Sequence, residues 1–417
     1  MRIKADIKGA IGILILALLV LTPVFNIGEI FGCITGKLSF SDLTFKGTIP
    51  VQTPLYVKFI KDAGFLIIIL LCICNLRKLE KDKLKLLMLF IIPMSLLTAV
   101  LFVLSCKTSF VRALIGLRWI SPAFLAVFLI GNVNDSLMEK MAKVASIVLM
   151  ISLSFQIYEQ FIIKPPIPIN DLQGFLKYHL SYDIRSRSGI FTMYHNAGLF
   201  ACATLFLVYF YIKKSNLRML TLCLIPINIL LSSSGTTLPT YILANYLILV
   251  KGKISRVSMI IFIFLGSALV ITLPFLVSRP SIFNNLFSRV NQFNALLRES
   301  GLVSTQFGKA TNAMALFWHK FGGPIKGSGL DSTINGVIVN TGLIGISLAV
   351  LTYIIWVIFI LRSRRLDAIV FTFIYTLFSL TVPIMEAFPG NLIFAVSAGY
   401  FIPIIFLRKK EKDARCN

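Results

Sequence analysis

Residues 327–346 read GSGLDSTINGVIVNTGLIGI. They carry the chain from a glycine-rich turn straight into an apolar run. They also close residues 278–335, the longest polar interruption in an otherwise apolar sequence. Within that interruption Arg279, Arg289, Arg298, Lys309, Lys320 and Lys326 stand against only two carboxylates, Glu299 and Asp331. A basic surface of this kind, held at one face of a bilayer, suits an anionic ligand.

The surrounding composition is that of a membrane protein: 57% hydrophobic residues, 14% charged and a mean hydropathy of +0.86. A soluble chain of 417 residues would divide into several cores. Here the bilayer replaces the core and predicts one polytopic domain over residues 1–417. The net charge of +24 suggests nucleic acid until it is located, because most of it sits in short loops between apolar runs. That placement excludes nucleic acid as the partner and follows the bias for basic cytoplasmic loops.

Apolar runs of spanning length fall at about 9–27, 56–76, 86–105, 111–130, 144–163, 190–212, 219–233, 236–250, 257–277, 336–361, 367–386 and 391–407. This predicts an all-α bundle of twelve spans. The seventh and eighth are short and joined only by SSSGTT around Ser234, so they are two thin helices or one re-entrant pair. With the N-terminus inside, the cytoplasmic segments 1–8, 77–85, 131–143, 213–218, 251–256, 362–365 and 408–417 hold more than half of the 41 lysines and arginines. The alternation survives twelve crossings and predicts both termini in the cytoplasm. Arg2, Lys4 and Lys8 precede the first run with no small-residue cleavage site after it, as in an uncleaved first span. Of the seven cysteines, Cys72 and Cys74 lack a zinc-ligand spacing, and Cys33 and Cys106 are the pair that could meet outside in a disulfide.

Three long outer segments remain, 30–55, 164–190 and 278–335. The last carries two apolar stripes at helical spacing. One runs from Phe283 to Leu297 with Arg289 and Arg298 at its margins, and the other joins Phe307, Ala310, Met314, Phe317 and Phe321. Both predict amphipathic helices on the outer rim of the bundle.

Several polar positions invite a functional role and a plainer one together. Arg185 and Arg187 precede Gly189, and paired guanidinium forks suit phosphate, while snorkelling anchors explain the same residues. Tyr194, His195 and Asn196 lie inside the sixth span, where a helix–helix hydrogen bond competes with a site. Arg112 and Arg118 fall in the fourth span, and Arg118 is too deep for simple snorkelling. Arg289 and Lys309 would serve an anionic ligand or lipid headgroups equally. His319 beside Trp318 is as readily structural. Asp331 or Ser332 could cap the tenth span, yet the preceding Gly-Ser-Gly lets a ligand approach the backbone, and Asp331 is a candidate general base. No HExxH, P-loop, GxSxG or paired-carboxylate metal motif occurs, so the expected chemistry uses no metal and no cofactor.

These residues resemble the O-antigen polymerase (Wzy-type) and O-antigen ligase family of bacterial polytopic membrane glycosyltransferases. The late loop of that family ends in a glycine-rich turn, a His-Asn pair and a helix opening near GLIG. KGSGLDSTINGVIVNTGLIGI is similar, with Asp331 and Ser332 at the His-Asn place and Gly342 and Gly345 in the helix. RSRSGIFTMYHN looks like the family's Arg-x-Gly-Phe segment, and SSSGTT resembles its serine-rich turn without the usual Arg at Gly235 or Thr236. Asp in place of His looks more like the polymerase branch than the ligase branch.

The resemblance implies a GT-C-like fold in the bacterial inner membrane. It also implies transfer of a growing glycan between undecaprenyl-pyrophosphate-linked oligosaccharides on the periplasmic face, with a chain-length regulator as a further partner. On that basis Asp331 would be the base, with Arg289 and Arg187 on the pyrophosphate and Lys309 and Arg185 behind them. Arg298, His319, His195 and Arg118 would complete the substrate contacts. The alternatives are an O-antigen ligase, a flippase of lipid-linked oligosaccharide, or a non-catalytic assembly subunit. A flippase predicts a two-fold internal repeat, which the sequence lacks.

The topology has a direct check. A cysteine at Ser300 should label with an impermeant thiol reagent on intact spheroplasts and one at Ser215 should not; the reverse pattern would overturn it.

Overall fold

In the apolar interior of a bilayer each backbone N–H and C=O must find its partner within the protein, so long apolar runs become helices. The structure, a computed structural model, describes residues 6–27, 30, 55–161, 189–191, 194–232, 236–250, 332–407 and most of 293–308. No strand occurs among them. In chain order the principal helices are α1 (Ile7–Val20), α2 (Thr22–Phe25), α3 (Leu55–Cys74), α4 (Lys81–Cys106), α5 (Phe110–Phe128) and α6 (Asp135–Phe161). They continue with α7 (Tyr194–Tyr211), α8 (Asn216–Ser232), α9 (Thr237–Val250), α10 (Thr333–Ser363), α11 (Leu366–Ser379) and α12 (Gly390–Leu407).

Every apolar run predicted as a span carries a helix except 257–277, which lies outside the described residues. Among the described residues five helices, α4, α5, α6, α10 and α12, are long and apolar enough to cross a membrane. The chain is therefore a helical membrane protein. α9 has 14 residues; at about 1.5 Å per residue it falls short of a hydrocarbon core roughly 30 Å thick. Prolines at 93, 122, 226 and 403 sit inside helices, as membrane helices tolerate when neighbours satisfy the freed carbonyls.

Packing divides the chain into two compact units, 1–68 with 134–241 and 69–133 with 242–417. In the first, α7 is the centre: its residues 196–208 are all buried. α6 and α8 flank it, and α1 lies against α6. Gly198 makes the contact with Thr237 possible, since a Cβ there would stand 2.0 Å from the Thr237 hydroxyl.

In the second unit α12 is the centre and α10 the periphery: 72% of the apolar span of α12 is buried in protein against 11% of that of α10. α12 meets α5 at Gly399, where a Cβ would lie 2.6 Å from Leu129 Cβ and 2.9 Å from the Ala126 carbonyl oxygen. Leu86 and Leu87 of α4 join Val127, Ile130 and Ile402 in one buried apolar cluster. Leu101, Trp119, Ile120 and Phe307 form another.

α10 is not one continuous helix. It breaks at Gly342, whose backbone sits at φ 77°, ψ −168°, a region open in practice to glycine alone. The chain segment 301–304 fills the break. The Leu343 and Ile344 N–H groups, freed at the start of the second half, donate to the carbonyls of Gly301 (3.2 Å) and Leu302 (3.0 Å). The Ser304 hydroxyl donates to the carbonyl of Val339 in the first half.

The second loop stripe, expected to start a rim helix at Phe307, starts differently. Phe307 and Gly308 form a turn, and Phe307 is fully buried over Gly116 of α5. Described residues of 293–298 are helical, in line with the first stripe. The rest of both stripes lies outside the described residues.

The break gives a graded expectation. A Cβ on Gly342 would stand 2.8–2.9 Å from backbone atoms of Gly301, Leu302 and Ser304, whereas one on Gly301 meets nothing nearer than 3.5 Å. Gly342→Ala should therefore cost about 1–3 kcal/mol or more, read as a lowered thermal midpoint in detergent, while Gly301→Ala stays near the parent.

Candidate functional site

The polar loop meets the membrane domain at one end of the second unit, where α4 finishes and α5, α10 and α12 begin. Residues 301–308 dock there on three helices. Besides the pairing across the α10 break, the Gly308 N–H donates to Asn340 Oδ1 at 2.8 Å and the Ser105 hydroxyl donates to the Phe307 carbonyl at 3.3 Å. Gly308 is indispensable to the fit: at φ 82°, its missing Cβ would lie 2.0 Å from the Arg112 carbonyl oxygen and 2.7 Å from the Gly116 nitrogen. Asn340 is completely buried and makes a further interaction besides this one.

Arg112, whose backbone carries Gly308, lies in the first turn of α5 behind the Ser109 N-cap. Its side chain is half-buried, and its Nε is shielded from solvent with no hydrogen-bond partner. A buried donor on a cation is costly to leave unmade, so an acceptor is the natural complement of this geometry. Lys309 follows Gly308 directly in sequence.

The start of α10 is fixed from a second side. The Thr333 hydroxyl donates to the Val382 carbonyl at 2.7 Å and accepts from the Ile384 N–H at 2.8 Å. This ties α10 to the 3-10 turn Ile384–Glu386. Glu386 is half-buried and partnered; it follows by two residues Ile384, whose N–H bonds Thr333. Asn391 donates to the Met385 carbonyl at 2.9 Å, and its Oδ1 is buried without a partner.

Ser332 is the N-cap of α10: its hydroxyl accepts from the Asn335 N–H at 3.2 Å. Of the two residues that could cap this helix, the cap is thus Ser332, and Asp331 precedes it.

The predicted site residues divide as follows. Asp331, Arg289, Arg187, Arg185, Lys309 and His319 lie outside the described residues. Arg298 is exposed. Arg118, in α5, is half-buried and partnered. His195, at the second residue of α7, is half-buried and partnered, and Asn196 beside it is buried and partnered. Arg118 belongs to the second unit and His195 to the first. Cys33 lies outside the described residues, and Cys106 carries a free thiol. Among the described residues no three His, Cys, Asp or Glu side chains converge as a metal site.

The first unit holds a neutral polar cluster beside Gly189. Gln156 and Asn228 are both fully buried, and Asn228 Nδ2 donates to Gln156 Oε1 at 2.8 Å. Asn228 Oδ1 and Ser152 Oγ are buried without partners. Gly189, at φ 60°, passes so close that a Cβ would lie 2.5 Å from Ser152 Oγ. Asn26 Nδ2 then holds the Ile190 carbonyl at 2.9 Å. Sequence reasoning picked Gly189 by its neighbours but missed Ser152, Gln156 and Asn228; amides within apolar runs were the available signal.

No protein-family model matches this chain, and no curated protein or solved structure matches it.

The capping assignment separates neighbours. Ser332→Ala should lower stability by about 1 kcal/mol, whereas Asp331→Asn should leave the thermal midpoint unchanged, both measured on purified protein in detergent.

Proposed function

We propose that this chain is a polysaccharide polymerase of the O-antigen type. It would join undecaprenyl-pyrophosphate-linked oligosaccharide units at the periplasmic face of the bacterial inner membrane, with twelve spans and both termini in the cytoplasm. The observation that carries the proposal is the docking of a cation-rich polar loop into the break of α10, beside the unpartnered Arg112 Nε. A protein that only packs within the membrane has no use for a basic loop fastened to its transmembrane core. The sequence resemblance supplies the reaction.

In that reaction the acceptor sugar hydroxyl loses its proton to the Asp331 carboxylate as its oxygen bonds the anomeric carbon of the donor. The bond from that carbon to the pyrophosphate oxygen breaks, and undecaprenyl pyrophosphate departs with the electron pair. Arg289 and Arg187 stabilise the departing charge, backed by Lys309 and Arg185, and Arg112 joins them. Arg298, His319, His195 and Arg118 contact glycan or pyrophosphate. The capping of α10 by Ser332 supports giving Asp331 the base role.

The break in α10 also suits a flippase, since transporters bind substrates at discontinuous helices. Here, however, the freed N–H groups of Leu343 and Ile344 are already bonded to Gly301 and Leu302, so the gap is filled by the chain itself.

Purified protein incubated with a synthetic undecaprenyl-pyrophosphate oligosaccharide should yield longer glycans; translocation without elongation would identify a flippase. Asp331→Asn should reduce elongation by roughly 10²-fold or more. Arg289→Ala should abolish it and Arg289→Lys recover only part, because a point charge lacks the guanidinium fork. Full activity in Arg289→Ala would reduce that residue to a lipid anchor.

A further inference from the structure

The docked loop is fastened by neutral contacts alone. The Gly301 and Leu302 carbonyls accept from the Leu343 and Ile344 N–H groups, the Ser304 hydroxyl donates to the Val339 carbonyl, and the Gly308 N–H donates to Asn340 Oδ1. Gly301 is exposed and Leu302 is 70% exposed. A segment held at a few points, with its leading end in the open, detaches locally without unfolding the helices beneath it.

Its trailing end is seated on one turn of α5. Gly308 lies against the Arg112 carbonyl and the Gly116 nitrogen, closely enough that only glycine fits. The side chain of that same Arg112 is half-buried, and its Nε is shielded from solvent without a hydrogen-bond partner. No carboxylate occurs in the sequence between Asp82 and Asp135 to neutralise it. A shielded cationic donor without an acceptor is worse off than the same group in water. The docked state thus carries a demand that an anion meets, and that water meets once Gly308 leaves the turn and uncovers it. A ligand that binds one of two states more tightly stabilises that state. The guanidinium fork matches phosphoryl oxygens in particular.

We propose that Arg112 couples anion binding to loop docking: a phosphoryl oxyanion held by its side chain locks residues 301–308 onto α5 and α10, and loss of the anion releases them. The backbone of Arg112 carries the loop and its side chain carries the ligand, so the two events share one residue. The proposal rests on the pyrophosphate role given to Arg112 above and adds to it the control of the loop. The chemistry it requires is phosphoryl, supplied by a free pyrophosphate or by a lipid headgroup.

The amides of Leu343 and Ile344 report docking directly, because their N–H groups are bonded to the loop. Their hydrogen exchange is followed by mass spectrometry on the full chain in neutral detergent. The additions are inorganic pyrophosphate, phosphatidylglycerol, or sodium chloride at matched ionic strength. An anion at about ten times its dissociation constant should slow these amides about tenfold, as binding to the docked form alone requires. Slowing by pyrophosphate or by phosphatidylglycerol supports the coupling and names the source of the phosphoryl group. Arg112→Gln should abolish the effect and Arg112→Lys keep part of it. Gly308→Ala, which cannot seat on α5, should exchange fast with or without anion. A monodisperse elution profile checks that each variant is folded. Three results would overturn the proposal: no slowing by either phosphoryl compound, equal slowing by sodium chloride, or slowing that survives in folded Arg112→Gln. Glycan elongation without anion-dependent slowing would sink the coupling alone. Slowing without elongation would sink the polymerase reading and leave the coupling standing.

Discussion

Two backbone hydrogen bonds organise the second unit: Leu343 N–H to the Gly301 carbonyl and Ile344 N–H to the Leu302 carbonyl. Breaking a helix within a bilayer frees N–H groups and carbonyls that lipid cannot satisfy, at several kcal/mol each. The break at Gly342 is therefore tolerable only while another strand of chain supplies the missing partners. That segment is residues 301–304 of the polar loop, which are therefore part of the second unit's helical packing. Phe307 packed over Gly116, and Gly308 against the Arg112 carbonyl, follow from the same constraint. Once 301–304 is pinned in α10, the next few residues must run across α5.

The helices were legible because their signal is strong. An apolar run with basic ends has one outcome in a bilayer, and the helices fall where hydropathy puts them. The break was not legible. GLIGI reads as a helix opening, and hydropathy is blind to a glycine whose φ has changed sign. Phe307 misled for a related reason: its spacing to Ala310 and Met314 fits a helical stripe, but its partner is Gly116, which no local period reveals. Ser332 and Asp331 were indistinguishable as caps from sequence, since both side chains are good acceptors, and only the Asn335 N–H geometry separates them.

The candidate site was legible from the sequence only as a basic loop. Basic residues clustered in 278–335 pointed to the loop, and the structure fastens its residues 301–308 to α4, α5 and α10. Yet Arg112 drew less attention than Arg118, because depth in a span was the only criterion available. Burial reorders them: it is Arg112 whose Nε is enclosed without an acceptor. Glu386 went unnoticed because it ends an apolar run and looks like a boundary residue. Its turn is bonded to Thr333, and that contact spans 51 residues of sequence.

The two units treat polar groups differently, and the difference bears on mechanism. In the first, the buried polar set Ser152, Gln156 and Asn228 is neutral, so it can be enclosed by helices at modest cost and still hydrogen-bond a hydroxyl. In the second, the notable groups are cations at helix ends, where the aqueous boundary is near and the desolvation cost is smaller. The glycosyl transfer proposed above would need cations for a pyrophosphate that gains charge as it leaves. Arg112, behind the Ser109 N-cap and with its carbonyl against the docked Gly308, is such a cation, its Nε enclosed without an acceptor. At the start of α10 Ser332 carries the cap, so the base role proposed for Asp331 does not compete with capping that helix.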